Sequence, residues 1–507
     1  MRTKDKLKRQ NESVTPISSF NLLSEIEKNF DVNEISLRDG TKIWNLLRIY
    51  LYFYPLEKAN KPKKIFYKEL FYILKESIAP IKLPPKNIKI CGFSHFSSRK
   101  YRGGVFYNRY MDPLYDVLGD NFAVFEWASK ERYNRNYSGK IYSTHYVPMH
   151  ISIFTKAFWK IGFYRMLRIV DLPIRSEDTL KSILNFFSNT YSINSDRLRR
   201  DVYNFIALFS YMKDFFIRFL HKISPLAVII ECGYTGLHMA LSQACRELNI
   251  PSIELQHGLI SKYHPGYVKS EDHENRDCVP EYLLTYGDIF TSIVREGNMF
   301  DPKKVVTVGF PYIDEVKNSP PLVDEKLNKF TSKFSANILV TSQWTVADMI
   351  KKFFIKVSRE LKKSDKSIGI IFKPHPRDWR NYSDLENHEN IFLVNKDEEI
   401  YEILKVIDIH STVYSTSGLE ALALGKPNIF IDVGKTTIEE YFPLVNNKSS
   451  FIVKSPKQFV QSLEYILSNY EESSKNAREI GEKFFKPNAK KNIANFLNSI
   501  GINIKND

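Results

Sequence analysis

One histidine of the sequence lies in the stretch KPHPR, between two prolines and two cationic residues. Pro374 and Pro376 restrict the backbone on both sides of His375. Lys373 and Arg377 add positive charge at the same place, which suits an anionic ligand. The preceding run SIGIIF is typical of a buried strand, so the histidine follows the end of that strand. We therefore predict that His375, Lys373 and Arg377 bind the phosphates of a ligand.

A second stretch, YSTSGLEALALGKP, places hydroxyl groups and a glycine directly before a helix. Ser415, Thr416 and Ser417 can cap this helix, and its free N–H groups and dipole favour an anion such as phosphate. Glu420 lies in the first turn, where a carboxylate suits the helix dipole and could also accept the hydroxyl groups of a ribose. We predict that these four residues bind a nucleotide together with His375.

Two residues at the ends of consecutive predicted strands are candidates for a general base. Glu231 ends the strand in LAVIIEC, and His257 follows the strand in IPSIELQHG. Either side chain could deprotonate an acceptor hydroxyl as it attacks a donor, and the sequence leaves both open. No DxD motif suggests a metal site. We therefore expect neither a metal nor a cofactor, with cationic groups and helix dipoles stabilising the leaving phosphate.

The elements that position these residues form an alternating pattern of strands and helices from residue 225 onward. Such alternation predicts parallel sheets, and ligands of parallel sheets bind outside the carboxyl ends of the strands. A proline-bearing stretch, Asn318 to Lys326, interrupts the pattern and suggests a linker. We predict an α/β fold with two Rossmann-like domains whose sheets face a cleft. The predicted parts are a basic helical N-terminal extension (1–85), an acceptor-side domain (86–317), a nucleotide-binding domain (318–485), and a C-terminal helix that crosses back to the N-terminal domain (486–507).

The composition favours a folded, cytoplasmic protein. The chain has 507 residues, and its four cysteines show no CxxC spacing, which argues against a zinc site or a disulfide framework. No apolar run is long enough for a spanning helix. The net charge is +15, and the first 100 residues hold 20 Lys and Arg against 10 Asp and Glu.

The basic segment from Lys58 to Lys86 interleaves lysines with aromatic residues. It could lie on an anionic membrane surface, or it could be a solvated helix that packs on the core through its aromatic side chains. No nucleic-acid-binding motif accompanies the charge, so nucleic acid is not an expected partner. We expect a cytoplasmic protein at the inner face of the cytoplasmic membrane.

Taken together, QHG, KPHP and YSTSGLEALALGKP resemble motifs of bacterial GT-B glycosyltransferases of surface-polysaccharide synthesis. That group includes the capsule and lipopolysaccharide Kdo transferases, the sialyltransferases and the teichoic-acid glycerophosphotransferases. The resemblance implies a GT-B fold, with His375 and the Ser415–Ser417 hydroxyls binding the donor phosphates and Glu420 contacting the ribose. The acidic-acidic-glycine motif of the sialyltransferases is absent, and IECG around Glu231 matches it only in part.

We therefore expect a metal-independent glycosyltransferase. Its donor would be a CMP-, CDP- or UDP-linked sugar, and its acceptor an oligosaccharide or a growing lipid-linked surface polysaccharide. One alternative is a CDP-glycerol or CDP-ribitol phosphotransferase, because the same histidine and hydroxyl groups would suit it. A second is a UDP-sugar 2-epimerase-like enzyme, which has a similar helix start but normally lacks a basic N-terminal extension. A non-catalytic assembly scaffold at the membrane would leave the residues at the strand ends unexplained.

Overall fold

The strands of the protein fall into two large sheets and two small ones. A computed structural model describes residues 16–57, 88–95, 98–102, 105–127, 146–149, 174–271, 274–363, 367–433 and 446–503. The strands in this part of the chain are β1 (Ser36–Leu37), β2 (Ile90–His95), β3 (Arg99–Arg102), β4 (Val105–Asn108), β5 (Phe122–Trp127), β6 (Tyr146–Met149), β7 (Ile174–Arg175), β8 (Ala227–Glu231), β9 (Ser252–Leu255), β10 (Tyr282–Thr285), β11 (Val305–Thr307), β12 (Ala336–Thr341), β13 (Ile368–Lys373), β14 (Ile391–Leu393), β15 (Ile409–Thr412), β16 (Asn428–Ile431) and β17 (Ser450–Val453).

Each large sheet is the centre of one lobe. The first has seven strands in the order β11-β10-β9-β8-β2-β5-β6, and the second has six in the order β14-β13-β12-β15-β16-β17. All strand pairs within both sheets are parallel. The pairs β1–β7 and β3–β4 are antiparallel. The predicted α/β fold with two Rossmann-like domains is confirmed.

Helices connect the strands of both lobes. The α-helices of at least six residues in the described ranges are α1 (Pro16–Asn29), α2 (Trp44–Glu57), α3 (Glu177–Thr190), α4 (Ser195–Ile223), α5 (Gly236–Glu247), α6 (Asp288–Arg295), α7 (Pro311–Asn318), α8 (Glu325–Thr331), α9 (Ala347–Lys363), α10 (Ile400–Lys405), α11 (Ser417–Ala423), α12 (Pro456–Ser468), α13 (Tyr470–Phe484) and α14 (Ala489–Ser499). Within those ranges, no helix has the length and apolar character needed to cross a bilayer.

The register of the second sheet aligns the carboxyl ends of its central strands. Ile338 of β12 pairs with Ile370 of β13 on one side and with Ile409 of β15 on the other. Every residue of these three strands is buried, as expected for strands covered on both faces. At the carboxyl end, Thr341 pairs with Lys373. The loops that follow β12, β13 and β15 therefore start at one edge of the sheet.

The first sheet is aligned in the same way. Glu231, the last residue of β8, pairs with Leu255 of β9, and Leu255 pairs with Leu284 of β10. The loop that begins at Gln256 therefore leaves this sheet beside Glu231. Gln256 itself is buried, and its Nε2 donates to the carbonyl of Gly258 at 2.8 Å, which holds the start of the loop.

The end of the chain packs on the first lobe. The backbone N–H of Ala489 donates to Asp314 Oδ2 at 2.7 Å, and Asn492 Nδ2 donates to the carbonyl of Val308 at 2.9 Å. The ring of Phe496 meets that of Tyr282 edge-on, with centroids 5.3 Å apart. Helix α14 therefore lies against the edge of the first sheet, after α13 has left the second lobe.

The two N-terminal helices also pack on the first lobe and hold one of its loops. Arg48 of α2 is fully buried, and its Nε donates to Glu27 of α1 at 2.9 Å. The same guanidinium donates to the carbonyl of Pro265. Glu27 in turn accepts from Ser270 Oγ at 2.8 Å. Helices α1 and α2 lie within the predicted N-terminal extension, whereas the basic segment Lys58 to Lys86 lies outside the described residues.

Candidate active site

A cavity of about 790 Å³ lies between the two lobes, at the carboxyl edges of both sheets. Eight of the nine residues predicted for the site line it: His257, Lys373, His375, Arg377, Ser415, Thr416, Ser417 and Glu420. The ninth, Glu231, does not line the cavity. The first lobe also contributes Arg99, Arg109 and Tyr110, and the second contributes Glu399 and Tyr401. The strand-end residues of two separate sheets therefore share one space.

The conformation of His375 leaves one ring nitrogen free to donate toward the cavity. The chain turns directly after it, because the N–H of Asp378 donates to the His375 carbonyl at 2.8 Å. The N–H of Arg377 donates to Nδ1 of the ring at 3.1 Å. Burial and the Arg377 charge lower the pKa of His375, so the ring is neutral at pH 7. The proton of the neutral ring is then on Nε2, where it can be donated to a phosphate oxygen.

The two cations beside His375 differ in their surroundings. Lys373 is buried, and its Nζ donates to the carbonyl of Lys396 at 2.7 Å, which ties the segment after β14 to the end of β13. Arg377 is exposed at the rim of the cavity. Arg377 can therefore move toward an anion, whereas Lys373 provides fixed positive charge and supports the cavity wall.

The start of α11 presents its hydroxyl groups in two directions. Ser415 Oγ accepts from the N–H of Ser417 at 3.3 Å, and Thr416 is exposed without capping the helix through its side chain. The Ser417 hydroxyl is buried and lies 2.9 Å from Thr341 Oγ1 and 3.2 Å from His410 Nε2. Ser415 and Thr416 are therefore available to a ligand, whereas the hydroxyl of Ser417 faces the sheet.

His410 anchors this helix start to the strands. Its Nδ1 lies 2.6 Å from Asn428 Oδ1, which can only accept, so Nδ1 carries the proton and Nε2 is the acceptor beside the hydroxyls of Thr341 and Ser417, which lie 2.9 Å from each other. Burial lowers the pKa of His410 to about 4, which keeps the ring neutral. The position of α11 relative to β12, β15 and β16 is thereby fixed by a fully buried polar network.

Arg109 of the first lobe reaches the acidic residues of the second. Its guanidinium carbon lies 5.9 Å from the ring centroids of both Tyr110 and Tyr401. Burial raises the pKa of Glu420, while the Arg109 charge and a hydrogen bond from Tyr401 act in the opposite direction. The Nε of Arg109 is buried and has no hydrogen-bond partner among the described residues. A donor group is thus available beside the predicted ribose contact.

His257 lies between two tyrosine hydroxyl groups. Tyr234 Oη is 3.0 Å from His257 Nε2, and Tyr267 Oη is 3.4 Å from His257 Nδ1. Tyr267 donates its proton to Glu254 Oε1 at 2.7 Å, so its oxygen is left to accept from Nδ1. This order places the ring proton on Nδ1 and leaves Nε2 as the acceptor. Burial and His95 lower the pKa of His257 to about 4, so the ring is neutral at pH 7.

Glu231 lies beneath the cavity within a buried polar network. Its carboxylate accepts from Ser94 Oγ at 2.5 Å and from the hydroxyl of Ser98. Burial raises its pKa to about 7, against the effect of these hydrogen bonds. Asn108 connects Ser94 to Glu126, which pairs with the cavity-lining Arg99 at 2.8 Å. Three side chains, those of Ser94, Asn108 and Glu126, thus separate Glu231 from Arg99 at the cavity wall.

Several of the lining and supporting residues were not predicted from the sequence. Arg109 and Tyr110 follow β4 and Tyr401 lies in α10, but no recognisable motif marks either place. Tyr267 lies in a loop. Glu254 carried a usable signal, because a carboxylate in the middle of the buried strand SIEL needs a partner. Among the described residues, no group of three or more His, Cys, Asp or Glu side chains is placed to hold a metal ion.

The two orientations at the start of α11 predict different effects for two similar substitutions. Ser417→Ala removes a hydroxyl group from the buried network with Thr341 and His410 and should lower the free energy of unfolding by about 1 kcal/mol, with little change in nucleotide affinity. Ser415→Ala should leave the melting temperature near that of the wild type and weaken CMP binding by roughly tenfold, which is also about 1 kcal/mol. Thermal unfolding and titration calorimetry measure the two quantities. The reverse pattern would contradict the orientations described above.

Residues 251–501 match the family model described as CDP-Glycerol:Poly(glycerophosphate) glycerophosphotransferase. The matched part is just under half of the chain, and it includes His257 and every predicted site residue of the second lobe. A search of curated proteins returned no match. The prediction that the chain is an enzyme, a transferase, is confirmed by the family match.

Solved structures show the same fold at low sequence identity. A UDP-N-acetylglucosamine 2-epimerase superposes with a TM-score of 0.50 and 14% identity, over 83% of this chain and 98% of its own. A protein assigned as the same epimerase from Listeria monocytogenes gives 0.50 and 15%, over 83% and 99%. The wall teichoic acid polymerase TagF, in a soak with CDPG, gives 0.45 and 12%, over 96% and 98%. The GT-B-like arrangement of two Rossmann-like domains is thus shared with the two epimerases, and the matched family model supports the broad resemblance to surface-polymer transferases.

Proposed function

We propose that this enzyme transfers the polyol-phosphate group of a CDP-activated donor, such as CDP-glycerol, to a hydroxyl group of a growing surface polymer. The observation that carries the proposal is the shared cavity, in which His257 of one lobe faces His375 and the start of α11 of the other. The description of the matched family model supports a CDP-linked donor and a phosphate-containing polymer as acceptor. The CDP-polyol alternative is therefore placed ahead of the nucleotide-sugar donor expected from the sequence.

The second lobe would bind the nucleotide part of the donor. His375 can donate from Nε2 to a phosphate oxygen, and the free N–H groups at the start of α11 lie at the same edge of the sheet. Arg377 at the rim can approach the same phosphates. Glu420 would accept the ribose hydroxyls, with Arg109 beside it. These groups bind CMP better as it gains negative charge on leaving, which is the requirement for stabilising a transition state.

The first lobe would activate the acceptor through His257. The acceptor hydroxyl would take the place of Tyr234 at Nε2, and its proton would pass to that nitrogen as its oxygen attacks the β-phosphorus of the donor. The new P–O bond forms as the bond from that phosphorus to the oxygen of CMP breaks, and CMP carries the negative charge away. The imidazolium formed at His257 would be stabilised from Nδ1 by Tyr267 and Glu254. Glu231 would have a structural role in this lobe, through its hydrogen bonds with Ser94 and Ser98.

Transfer of a sugar is the second candidate, because the same phosphate-binding groups suit a CMP-, CDP- or UDP-linked sugar. The attacked atom would then be the anomeric carbon, and the roles of His257 and His375 would be unchanged. The motifs KPHP and YSTSG, which resemble those of glycosyltransferases, favour this candidate. We place either reaction at the inner face of the cytoplasmic membrane, where the net charge of +15 would favour anionic lipids.

The direct test is turnover of a panel of donors by the purified full chain. We expect CMP release from CDP-glycerol or CDP-ribitol that depends on a polyol-phosphate acceptor, and little from CMP- or UDP-sugars. His375→Asn and His257→Asn should each lower kcat by roughly 100-fold or more, since each removes a group that acts in the transition state. Turnover of nucleotide sugars alone would select the second candidate. Absence of both turnover and nucleotide binding would refute the proposal.

The pH dependence should show which carboxylate the base depends on. Burial raises the pKa of both Glu231 and Glu254 to about 7, and it is the ionised form of Glu254 that would stabilise the His257 imidazolium through the hydrogen bond from Tyr267. Protonation removes this role, so kcat/KM should fall as the pH decreases through about 7, whereas His257 stays neutral down to about 4. Glu254→Gln should abolish this acid limb, and the matched variant Glu231→Gln should retain it. The opposite result would assign the limb to Glu231.

A further inference from the structure

Three large apolar side chains are exposed together at one end of α9. Six large hydrophobic residues are exposed in the described part of the chain, and three of them are Trp344 at 49%, Met349 at 49% and Trp379 at 86%. Trp344 lies in the loop before α9, Met349 in its first turn, and Trp379 in the loop after β13. None of the three lines the cavity between the lobes. The nucleotide site therefore does not account for their exposure.

Arg380 holds this cluster together. Its Nη1 donates to the carbonyl of Trp344 at 2.9 Å, and its Nε donates to Asp348 Oδ2 at 3.2 Å. The guanidinium carbon lies 5.8 Å from the centroid of the Trp379 ring, and the same side chain also bonds Asp378. The loops after β12 and β13 are thereby tied to the start of α9. The backbone of Trp344 and the ring of Trp379 are thus both in contact with Arg380 at the surface.

A row of cationic side chains continues from the cluster along α9. Lys352, Lys356 and Arg359 are exposed and follow Met349 at spacings of three, four and three residues, which places all four on one face of the helix. None of the three cations forms an ion pair within the described ranges. The carboxylates nearby are already engaged, since Asp348 bonds Arg380 and Glu360 bonds Lys363. This face therefore carries uncompensated positive charge.

The opposite face of α9 is buried in the second lobe. It is lined by Ala347, Ile350, Phe353, Phe354, Val357 and Leu361, which belong to one hydrophobic core. The exposed row is thus the outer surface of a firmly packed helix. Such a helix can present charges and aromatic rings to a partner without rearrangement of the fold.

We propose that Trp344, Met349, Trp379 and the row Lys352, Lys356 and Arg359 form a docking surface for an anionic phospholipid bilayer. Indole rings are favoured at the boundary between lipid headgroups and acyl chains, and neighbouring lysine and arginine side chains bind anionic headgroups. A soluble phosphate polymer would satisfy the cations and give no environment for two indoles and a thioether. An anionic bilayer is therefore the partner that fits both the apolar side chains and the cationic row. The proposal deepens the membrane location proposed above, and it does not depend on the transferred group.

Vesicle sedimentation with the full chain tests the surface. The wild type should bind vesicles that contain phosphatidylglycerol, with binding that falls as salt is added, and should bind phosphatidylcholine vesicles weakly. The variant Lys352→Glu, Lys356→Glu, Arg359→Glu should lower partitioning by 100-fold or more. Trp344→Ala with Trp379→Ala should lower it by roughly tenfold and remove the quenching of tryptophan fluorescence by brominated lipid.

A matched control separates this surface from the overall charge of the protein. Lys457→Glu, Lys475→Glu and Lys491→Glu make the same change in net charge at exposed positions on other helices, and partitioning should stay within about threefold of the wild type. Equal losses in control and test variants, wild-type binding by both test variants, or no vesicle binding by the wild type would each overturn the proposal. The proposal would also be overturned if inorganic polyphosphate bound through Lys352, Lys356 and Arg359 while vesicles did not bind.

The same variants distinguish this proposal from the enzymatic one. With a water-soluble acceptor and no vesicles, the α9 variants should release CMP at the rate of the wild type, because the surface lies outside the cavity. Loss of vesicle binding with normal turnover supports the docking surface. Absence of turnover in the wild type and all variants would refute the transfer reaction, and the vesicle measurements would still decide the docking surface.

Discussion

The pairing of β12 with β13 on one side and β15 on the other is the constraint on which the site depends. These pairings bring Thr341 opposite Lys373 and place the loops after β13 and β15 on either side of the end of β12, at the same edge of the sheet. A shift of one residue in either pairing would turn the strand-end side chains to the other face of the sheet. His375 and the start of α11 line one cavity because this register is fixed. The buried contact of Ser417 and Thr341 with His410 reinforces it from within.

Charged side chains from both lobes line the cavity, so a bound donor would contact both lobes. Arg109 extends from the first lobe toward Glu420 and Tyr401 of the second, and its guanidinium carbon lies 5.9 Å from the ring centroids of both Tyr110 and Tyr401. A ribose that accepts or donates at Glu420 would therefore also meet Arg109. Because a guanidinium keeps its charge in a buried site, this contact can couple nucleotide binding to the relative position of the lobes. Within the first lobe, Arg48 and Glu27 of the N-terminal helices hold the loop that leads from His257 to Ser270.

Much of the site could be predicted from the sequence because most of its residues follow directly after the ends of parallel strands. Hydrophobic runs locate parallel strands, and polar residues directly after them must lie at one edge, which identified His257, His375 and Ser415. The rule gives no side-chain direction, so it could not show that the Ser417 hydroxyl faces the sheet and that Glu231 lies below the cavity. Those orientations depend on Ser94 and Thr341, which are distant in sequence from Glu231 and Ser417 respectively.

Other features were missed for different physical reasons. Arg109 and Tyr401 come from loops and a short helix whose positions depend on the packing of whole lobes. The bounds of the long helix α4 were not located from the sequence, although its buried residues Leu198, Val202, Ile206 and Phe209 follow helical spacing. Its aromatic and basic residues obscured that period.

The most direct test of the account is a crystal structure of the chain with CMP or a non-transferable CDP-polyol analogue bound. The account predicts a phosphate within about 2.7–3.2 Å of His375 Nε2 and of the N–H groups that begin α11, with the ribose near Glu420. A nucleotide bound outside the cleft, or with its phosphates away from both His375 and α11, would contradict it.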